Sequence, residues 1–468
     1  MQVLNFIYNL LWGDLFTIPL PGGSSIGISL LVLILIPMGL YFTVRTKCLP
    51  IRCFPEMLRI TAEKKTTQSG AISGVQALMI STATRVGMGN LVGVVAALSV
   101  GGAGAVFWMW ITALIGASTA YIEATLAQMH KEPDPMYGGY RGGPAHYIHH
   151  LFAGKRRFSM LAILFAISGL LCWGGISQVI GNSVSSAFEY AFHIPPIVST
   201  VILVAASALI VLRKNTTVKI LDILVPIMAA IYFAAALFII VKNIGQLPTV
   251  FSRIFEEAFG LRQVVAGGFG AALMNGVKRG LFSNEAGSGS APCAAAAADV
   301  SHPAKAGLYQ ALGVFIDTII ICTCTAMIML LVPSDLLAGL EGMPLLQTAM
   351  QYHFGQAGVI FIAIILWLFS FSTFLGVLYY ARPNVAYLFG NSAVAQLVCK
   401  ILYLAMLFIG GLAAYTFVWD LGDIGIALCT VINAIAIIPL SGKAVRALNE
   451  YMAQSKAERQ AKKEQKDA

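Results

Sequence analysis

A chain of 468 residues with 58% hydrophobic and only 11% charged side chains, at a mean hydropathy of +0.80, is no ordinary soluble domain, since those carry roughly a quarter charged residues. The net charge of +9 invites a nucleic-acid reading, but its clustering beside apolar segments is a topology signal and makes that partner unnecessary. The eight cysteines fall in apolar segments or in loops of one side, so neither a disulfide framework nor a metal cluster is supported.

Apolar stretches long enough to cross about 30 Å of hydrocarbon recur along the whole chain. They cover approximately residues 26–44, 71–100, 104–130, 158–188, 196–212, 218–241, 263–298, 306–332, 356–381, 397–417 and 421–440, eleven in all. The fold class expected is therefore an all-α polytopic membrane protein. The first segment lacks a basic preceding region and a small-residue cleavage site, so it is expected to remain as a span rather than be removed as a signal peptide.

Basic residues concentrate in short cytoplasmic loops, and here they alternate with the spans. Arg45, Lys47, Arg52, Arg59, Lys64 and Lys65 follow the first span. Lys131, Arg141, Lys155, Arg156 and Arg157 follow the third, and Arg213, Lys214 and Lys219 the fifth. Lys305, Arg382, Lys400 and the run from Lys443 to Lys466 complete that side, whereas the other holds only Lys242, Arg253 and Arg262. This pattern predicts an N-terminus outside and a C-terminus inside. Residues 50–65 read either as an amphipathic helix on the inner leaflet or as a plain loop. The polar tail, 446–468, reads as a solvated cytoplasmic helix or a disordered end.

Two spans are interrupted by glycine and polar residues: the second, around Thr84–Asn90, and the seventh, around Gly267–Gly289. They lie five spans apart, which divides spans 2–6 and 7–11 into two five-helix sets (residues 46–245 and 246–445) after an extra N-terminal span (1–45). An odd repeat length makes the sets inverted, and inverted repeats with one broken helix each are a recurrent transporter design whose breaks build the binding site.

The second span reads Ser81-Thr82-Ala83-Thr84-Arg85-Val86-Gly87-Met88-Gly89-Asn90. Gly87 and Gly89 permit unwinding, which frees amides to cradle a carboxylate and carbonyls to hold a cation; Asn90 adds a side-chain donor. Close helix packing through small residues is the alternative use of these glycines. The seventh span reads Met274-Asn275-Gly276-Val277-Lys278-Arg279-Gly280-Leu281-Phe282-Ser283-Asn284-Glu285-Ala286-Gly287-Ser288-Gly289-Ser290, a run no continuous lipid-facing helix would have.

Together with Phe107-Trp108-Met109-Trp110 and Gly138-Gly139-Tyr140-Arg141-Gly142-Gly143-Pro144, these motifs resemble those of the alanine or glycine:cation symporter family, over most of the membrane domain. The resemblance implies a LeuT-like fold and alternating-access symport of alanine or glycine with sodium, or with protons in some members. It implies no organic cofactor and no obligate protein partner. Topology and resemblance together imply a bacterial cytoplasmic (inner) membrane protein.

Carried onto this chain, the resemblance assigns sodium to the carbonyls of Ala83 and Val86 and the hydroxyls of Ser372 and Thr373, with the Phe369 carbonyl a further candidate. Back-bonding of those hydroxyls one turn along their own helix is the competing reading. The substrate is assigned to Gly87, Gly89, Asn90 and Gln178, the last otherwise being interhelical glue. Phe269, Met274 and Trp367 are nominated as the wall that excludes larger side chains. Ionisable residues within spans are functional by default: Arg85, Glu123, Lys278, Arg279, Glu285 and Asp317. Arg85 and Glu285 are expected to form an inner-gate ion pair, unless Glu285 pairs instead with Lys278 or Arg279.

Two other function classes compete. An intramembrane hydrolase is suggested by Ser283, Ser288 and Ser290, yet all seven histidines map to loops or span ends, leaving no buried base for a serine nucleophile. An ion channel would need a symmetric ring of filter carbonyls that two unlike breaks do not supply.

Overall fold

The computed structural model describes residues 2–19, 25–63, 71–153, 159–212, 217–261, 268–337, 339–340 and 342–467. Lys64, Lys65, Lys155, Arg156, Arg157, Arg213, Lys214, Arg262 and Gly267, which entered the sequence reading, lie outside that set. The chain is almost wholly helical. In order, α1 (Gln2–Trp12), α2 (Leu30–Arg45), α3 (Leu49–Arg52) and α4 (Phe54–Thr61) precede the bundle proper. Then come α5 (Gly74–Arg85), α6 (Val94–Gly101), α7 (Gly104–Met129), α8 (Pro144–Phe152), α9 (Met160–Phe192), α10 (Pro196–Val211), α11 (Thr217–Lys242) and α12 (Leu247–Ala258). After them lie α13 (Gly268–Asn284), α14 (Ala291–Ala297), α15 (Pro303–Val314), α16 (Thr323–Leu330), α17 (Met343–Phe354), α18 (Gln356–Phe389), α19 (Ala393–Leu412) and α20 (Tyr415–Asp467).

Among the described residues seven helices are long and apolar enough to cross a membrane, or eight if α5 and α6 count as one bent span. Of the eleven predicted segments, 26–44 and 196–212 appear as the sixteen-residue helices α2 and α10, and 263–298 appears as α13 and α14 on either side of a break. Large apolar side chains remain exposed along α10, α11 and α19, such as Ile202, Leu209, Ile223, Phe238, Val394 and Leu402. A water-facing surface would not tolerate so continuous an apolar belt; a lipid-facing one requires it. α9 packs against α18, α19 and α20, while α7 packs against α13, α14 and α15.

Each break has a local cause. A capping box opens α5, with Ser73 Oγ accepting from Gln76 N–H at 3.2 Å and Gln76 Oε1 accepting from Ser73 N–H at 3.0 Å. The helix stops at Val86, Gly87 N–H folds back to the Arg85 carbonyl at 2.8 Å, and a π-helical turn at Gly89–Gly93 leads into α6 at 47° to α5. The second break follows Asn284, where Glu285 (φ +55°), Gly287 (φ +92°) and Gly289 (φ +82°) are left-handed. For a non-glycine residue such as Glu285 that conformation is uncommon and concentrates at functional positions. A short parallel strand pairing, Ile72 with Ala298 and Ser73 with Asp299, joins the start of α5 to the end of α14. The two backbones also meet at mid-bundle, where a Cβ on Gly89 would lie 3.3 Å from Ser283 Cα.

The polar tail is helical and continues α20 without interruption past residue 446. It docks on α4 rather than standing free: the buried carboxylate of Glu56 accepts from Tyr451 Oη at 2.6 Å and Ser455 Oγ at 3.0 Å, and pairs with Arg59 at 2.6 Å and with Arg459. α4 is thereby pinned between α15 and α20.

At the end of the bundle away from the Lys219, Lys305, Arg382 and Lys400 side, the buried Asp423 of α20 accepts from Lys278 Nζ at 2.6 Å and Arg279 Nη2 at 2.7 Å. This overturns the expectation that Lys278 or Arg279 pairs with Glu285. Trp12 Nε1 of α1 donates to the Asp423 carbonyl at 3.1 Å, and Tyr8 Oη meets Lys278. The Arg279 guanidinium lies 4.6 Å from the Trp419 ring.

Two outcomes follow from this packing. A Cβ on Gly410 would sit 2.2 Å from the Gln178 carbonyl, whereas one on Gly93 meets nothing within 4 Å; Gly410→Ala is expected to cost about 1–3 kcal/mol and to lower the unfolding midpoint in detergent, with Gly93→Ala neutral. Asp423→Ala, which strands two buried cations, is expected to cost about 3–5 kcal/mol in the same assay, and Lys278→Met added to it should restore part of the loss.

Candidate functional site

The first break rests on α18. Thr373 Oγ1 donates to the Ala83 carbonyl at 3.1 Å, across the helix interface, and to its own Phe369 carbonyl at 2.8 Å. Ser372 Oγ donates to that same carbonyl at 2.9 Å and faces Met228 Sδ of α11 at 3.7 Å. Ala83, Val86, Ser372 and Thr373 are therefore all buried at one junction. Both hydroxyls back-bond one turn along α18, and Thr373 adds the bond to α5. Gly87 belongs there for a steric reason, because a Cβ would meet Thr373 Oγ1 at 2.0 Å. Thr373, Gly376 and Tyr380 fall on one face of α18. Gly376 admits Thr84, whose Oγ1 is 2.7 Å from Tyr380 Oη.

Asn90 is engaged inside the protein. Its Oδ1 accepts from Gly87 N–H at 3.1 Å, and its Nδ2 donates to Asp317 Oδ1 at 2.7 Å and to the Asp317 carbonyl at 3.0 Å. Asp317 lies on a π-helical stretch, Phe315–Cys322, between α15 and α16. Its Oδ2 accepts from Ser283 Oγ of α13 at 2.9 Å and from Thr318 Oγ1 at 2.6 Å. The sequence singled out Asp317 as a buried ion but not these partners, since residues 227 positions apart carry no shared local pattern.

Arg85 and Glu285 do not form the expected ion pair. Arg85 is fully buried and reaches α15, where Nη1 donates to both the carbonyl and Oε1 of Gln310 at 3.1 Å. Glu285, turned by its left-handed backbone, accepts from Thr84 Oγ1 at 3.3 Å. Both still flank the centre of the bundle, together with the buried carboxylates of Glu123 and Asp317.

The expected substrate wall is dispersed. Gln178 Nε2 points at Met406 Sδ of α19, 3.0 Å away, and so serves the α9–α19 contact rather than a break. Phe269 opens α13 and packs its ring 5.8 Å from that of Trp108. At about 1.5 Å of rise per residue it stands about 24 Å from Glu285, and Met274 about 16 Å. Both lie on unbroken α13, ahead of the break, which follows Asn284. Trp367 stacks on Phe371 at 5.3 Å along α18.

At the basic end, below the first break, a cavity of about 260 Å³ opens among Ile72, Gln76, Tyr137, Leu375, Tyr379 and Arg382. Arg382 lies 3.5 Å from the Tyr137 ring and 3.8 Å from Asp134 Oδ2. On α18 the cavity reaches Leu375, two residues from Thr373.

A family model described as the sodium:alanine symporter family matches residues 23–466. The chain is 41% identical to a probable sodium/glutamine symporter of Bacillus subtilis (92% of this chain, 89% of the relative). It is 36% identical to a sodium/proton-dependent alanine carrier protein of Bacillus sp. strain PS3 (86% and 92%) and 34% identical to a sodium/alanine symporter of Methanococcus maripaludis (90% and 94%). A manganese transporter of Eremococcus coleocola, solved as a crystal structure, superposes with a TM-score of 0.52 at 15% identity over 82% of this chain and 81% of its own, a likeness of fold alone. The motifs at both breaks, the helical membrane architecture and the match along nearly the whole chain agree: it belongs to the sodium:alanine symporter family, whose members are transporters and not enzymes.

Proposed function

We propose that this protein carries a small neutral amino acid, alanine or glycine, into the cell together with sodium by alternating access. The observation that carries the cation half of this reading is the junction of Thr373 Oγ1 and the Ala83 carbonyl, with Ser372 and Val86 beside it. Sodium is a hard cation, and hydroxyl and carbonyl oxygens at a helix break are the ligands such an ion selects. In this structure Thr373 bridges to Ala83 directly; with sodium loaded, the hydroxyl would keep its proton on the Phe369 carbonyl and offer its lone pair, beside the Ala83 carbonyl, to the ion.

The transport layout we infer is two inverted five-helix sets, residues 46–245 and 246–445, after one additional N-terminal helix. The basic end is cytoplasmic by the positive-inside rule, which puts the cavity beside α5 and α18 on the inner side and the Asp423 cluster on the outer. The substrate lies between the breaks. Because one methylene is worth only about 1–3 kcal/mol in a pocket, serine is expected to compete with alanine, and the relative named for glutamine makes glutamine the necessary comparison.

Proton coupling is the second reading, and a specific observation favours weighing it. Three buried carboxylates, Glu123, Glu285 and Asp317, surround the breaks, and one relative is named sodium/proton-dependent.

The test is uptake of labelled alanine, glycine, serine and glutamine into proteoliposomes under imposed sodium or proton gradients. Uptake of alanine or glycine driven by sodium supports the proposal; uptake that ignores sodium and follows the proton gradient replaces it with the second reading. Removing one oxygen ligand should raise the sodium concentration for half-maximal uptake about tenfold in Thr373→Val, with Thr373→Ser near wild type. An unchanged sodium dependence in Thr373→Val would remove Thr373 from the cation site.

A further inference from the structure

Glu123 sits in the last third of α7, inside an apolar helix, and is fully buried. Among the described residues no cation lies at ion-pair distance from it. An isolated buried carboxylate is costly unless hydrogen bonds satisfy it, and both of its oxygens are satisfied by the second break. Oε1 accepts from Gly287 N–H at 3.2 Å; Oε2 accepts from Gly289 N–H at 3.1 Å and from Asn433 Nδ2 of α20 at 2.9 Å. Asn433 Nδ2 also donates to the Gly287 carbonyl at 2.9 Å, and its Oδ1 accepts from Tyr147 Oη of α8.

Gly287 and Gly289 are left-handed, and a Cβ on Gly289 would meet Pro144 Cγ at 2.5 Å and Phe165 Cζ at 2.8 Å. The linker is thus pressed against α8 and α9 while its amides face α7. On its other side it leads directly into α14, where Cys293 is buried against Gly143. One carboxylate therefore ties together the linker between the two halves of a broken helix, its neighbouring span and, through Asn433, the last long helix.

We propose that Glu123 is a positioning residue of the transport cycle: its carboxylate occupies the amides that the second break exposes and so keeps α14 seated against α7. The break is held open by an anion of the protein's own. Its neutral counterpart, a glutamine, has the same shape but offers a single acceptor oxygen and places an N–H₂ group against one of the two glycine amides. The seat is then lost while the packing volume is kept.

Two readouts separate this from a merely structural role. In a chain whose other cysteines are replaced by serine, Glu123→Gln is expected to raise the labelling rate of Cys293 by a membrane-permeant maleimide about fivefold or more. It should also lower the maximal rate of alanine uptake about tenfold, with the half-saturating alanine concentration shifting less than about threefold, as expected for loss of a charge-assisted bond that acts on movement rather than on binding. Glu123→Gln with wild-type labelling and rate would overturn the proposal, as would a half-saturating concentration that rises in proportion to the fall in rate. If that variant does not fold, Asn433→Ala keeps the carboxylate and removes one donor; it should move both readouts in the same directions by a smaller factor, and wild-type values for both would again overturn the proposal. The rate measurement rests on the transport reading above, but the labelling does not: absent uptake of both alanine and glycine in the wild type would sink that reading and leave the Cys293 comparison intact.

Discussion

Interrupting a helix at membrane depth strands amides and carbonyls where lipid offers them nothing, and the middle of this bundle is arranged around that constraint. At the first break Gly87 N–H is taken up by Arg85 and Asn90, and the Ala83 carbonyl by Thr373. At the second, Gly287 and Gly289 N–H are taken up by Glu123. Several buried polar side chains of the centre act in this way: they complete the backbone of one break, or they complete a residue that does. Asp317, which holds Asn90, is an example of the latter.

How much of this was legible in the sequence follows from the range of each interaction. Spans announce themselves through hydropathy, and breaks through glycine and polar residues inside an apolar run, because both are properties of neighbours in the chain. The location of the second break within its segment was less legible: Gly276, Gly280, Gly287 and Gly289 all permit unwinding, but only the last two are left-handed and have their amides held by a partner. The helix between Gly268 and Asn284 continues through Gly276 and Gly280 because those glycines are used against Trp108 and Thr112 of α7 instead.

Charges show the same limit. Arg85, Glu123, Lys278, Arg279, Glu285 and Asp317 were identifiable as buried ions because each lies in an apolar run, yet the partners they take come from other helices. Asp423 near the start of α20 reads in sequence as a residue close to a span end, and only the fold makes it the counter-ion of two cations. Gln310 has no charge to draw attention to it, though it receives the one bonded nitrogen of Arg85. The residues that hold the breaks in place are therefore less conspicuous in the sequence than the breaks themselves.

The two-residue strand pairing of Ile72 and Ser73 with Ala298 and Asp299 has a mechanical meaning. It fastens the tips of α5 and α14 to each other, so these two half-helices form a joined pair rather than two independent arms. The pairing adds a backbone link to the side-chain packing of α5 on α14, so neither tip can shift without disturbing the hydrogen bonds of the other.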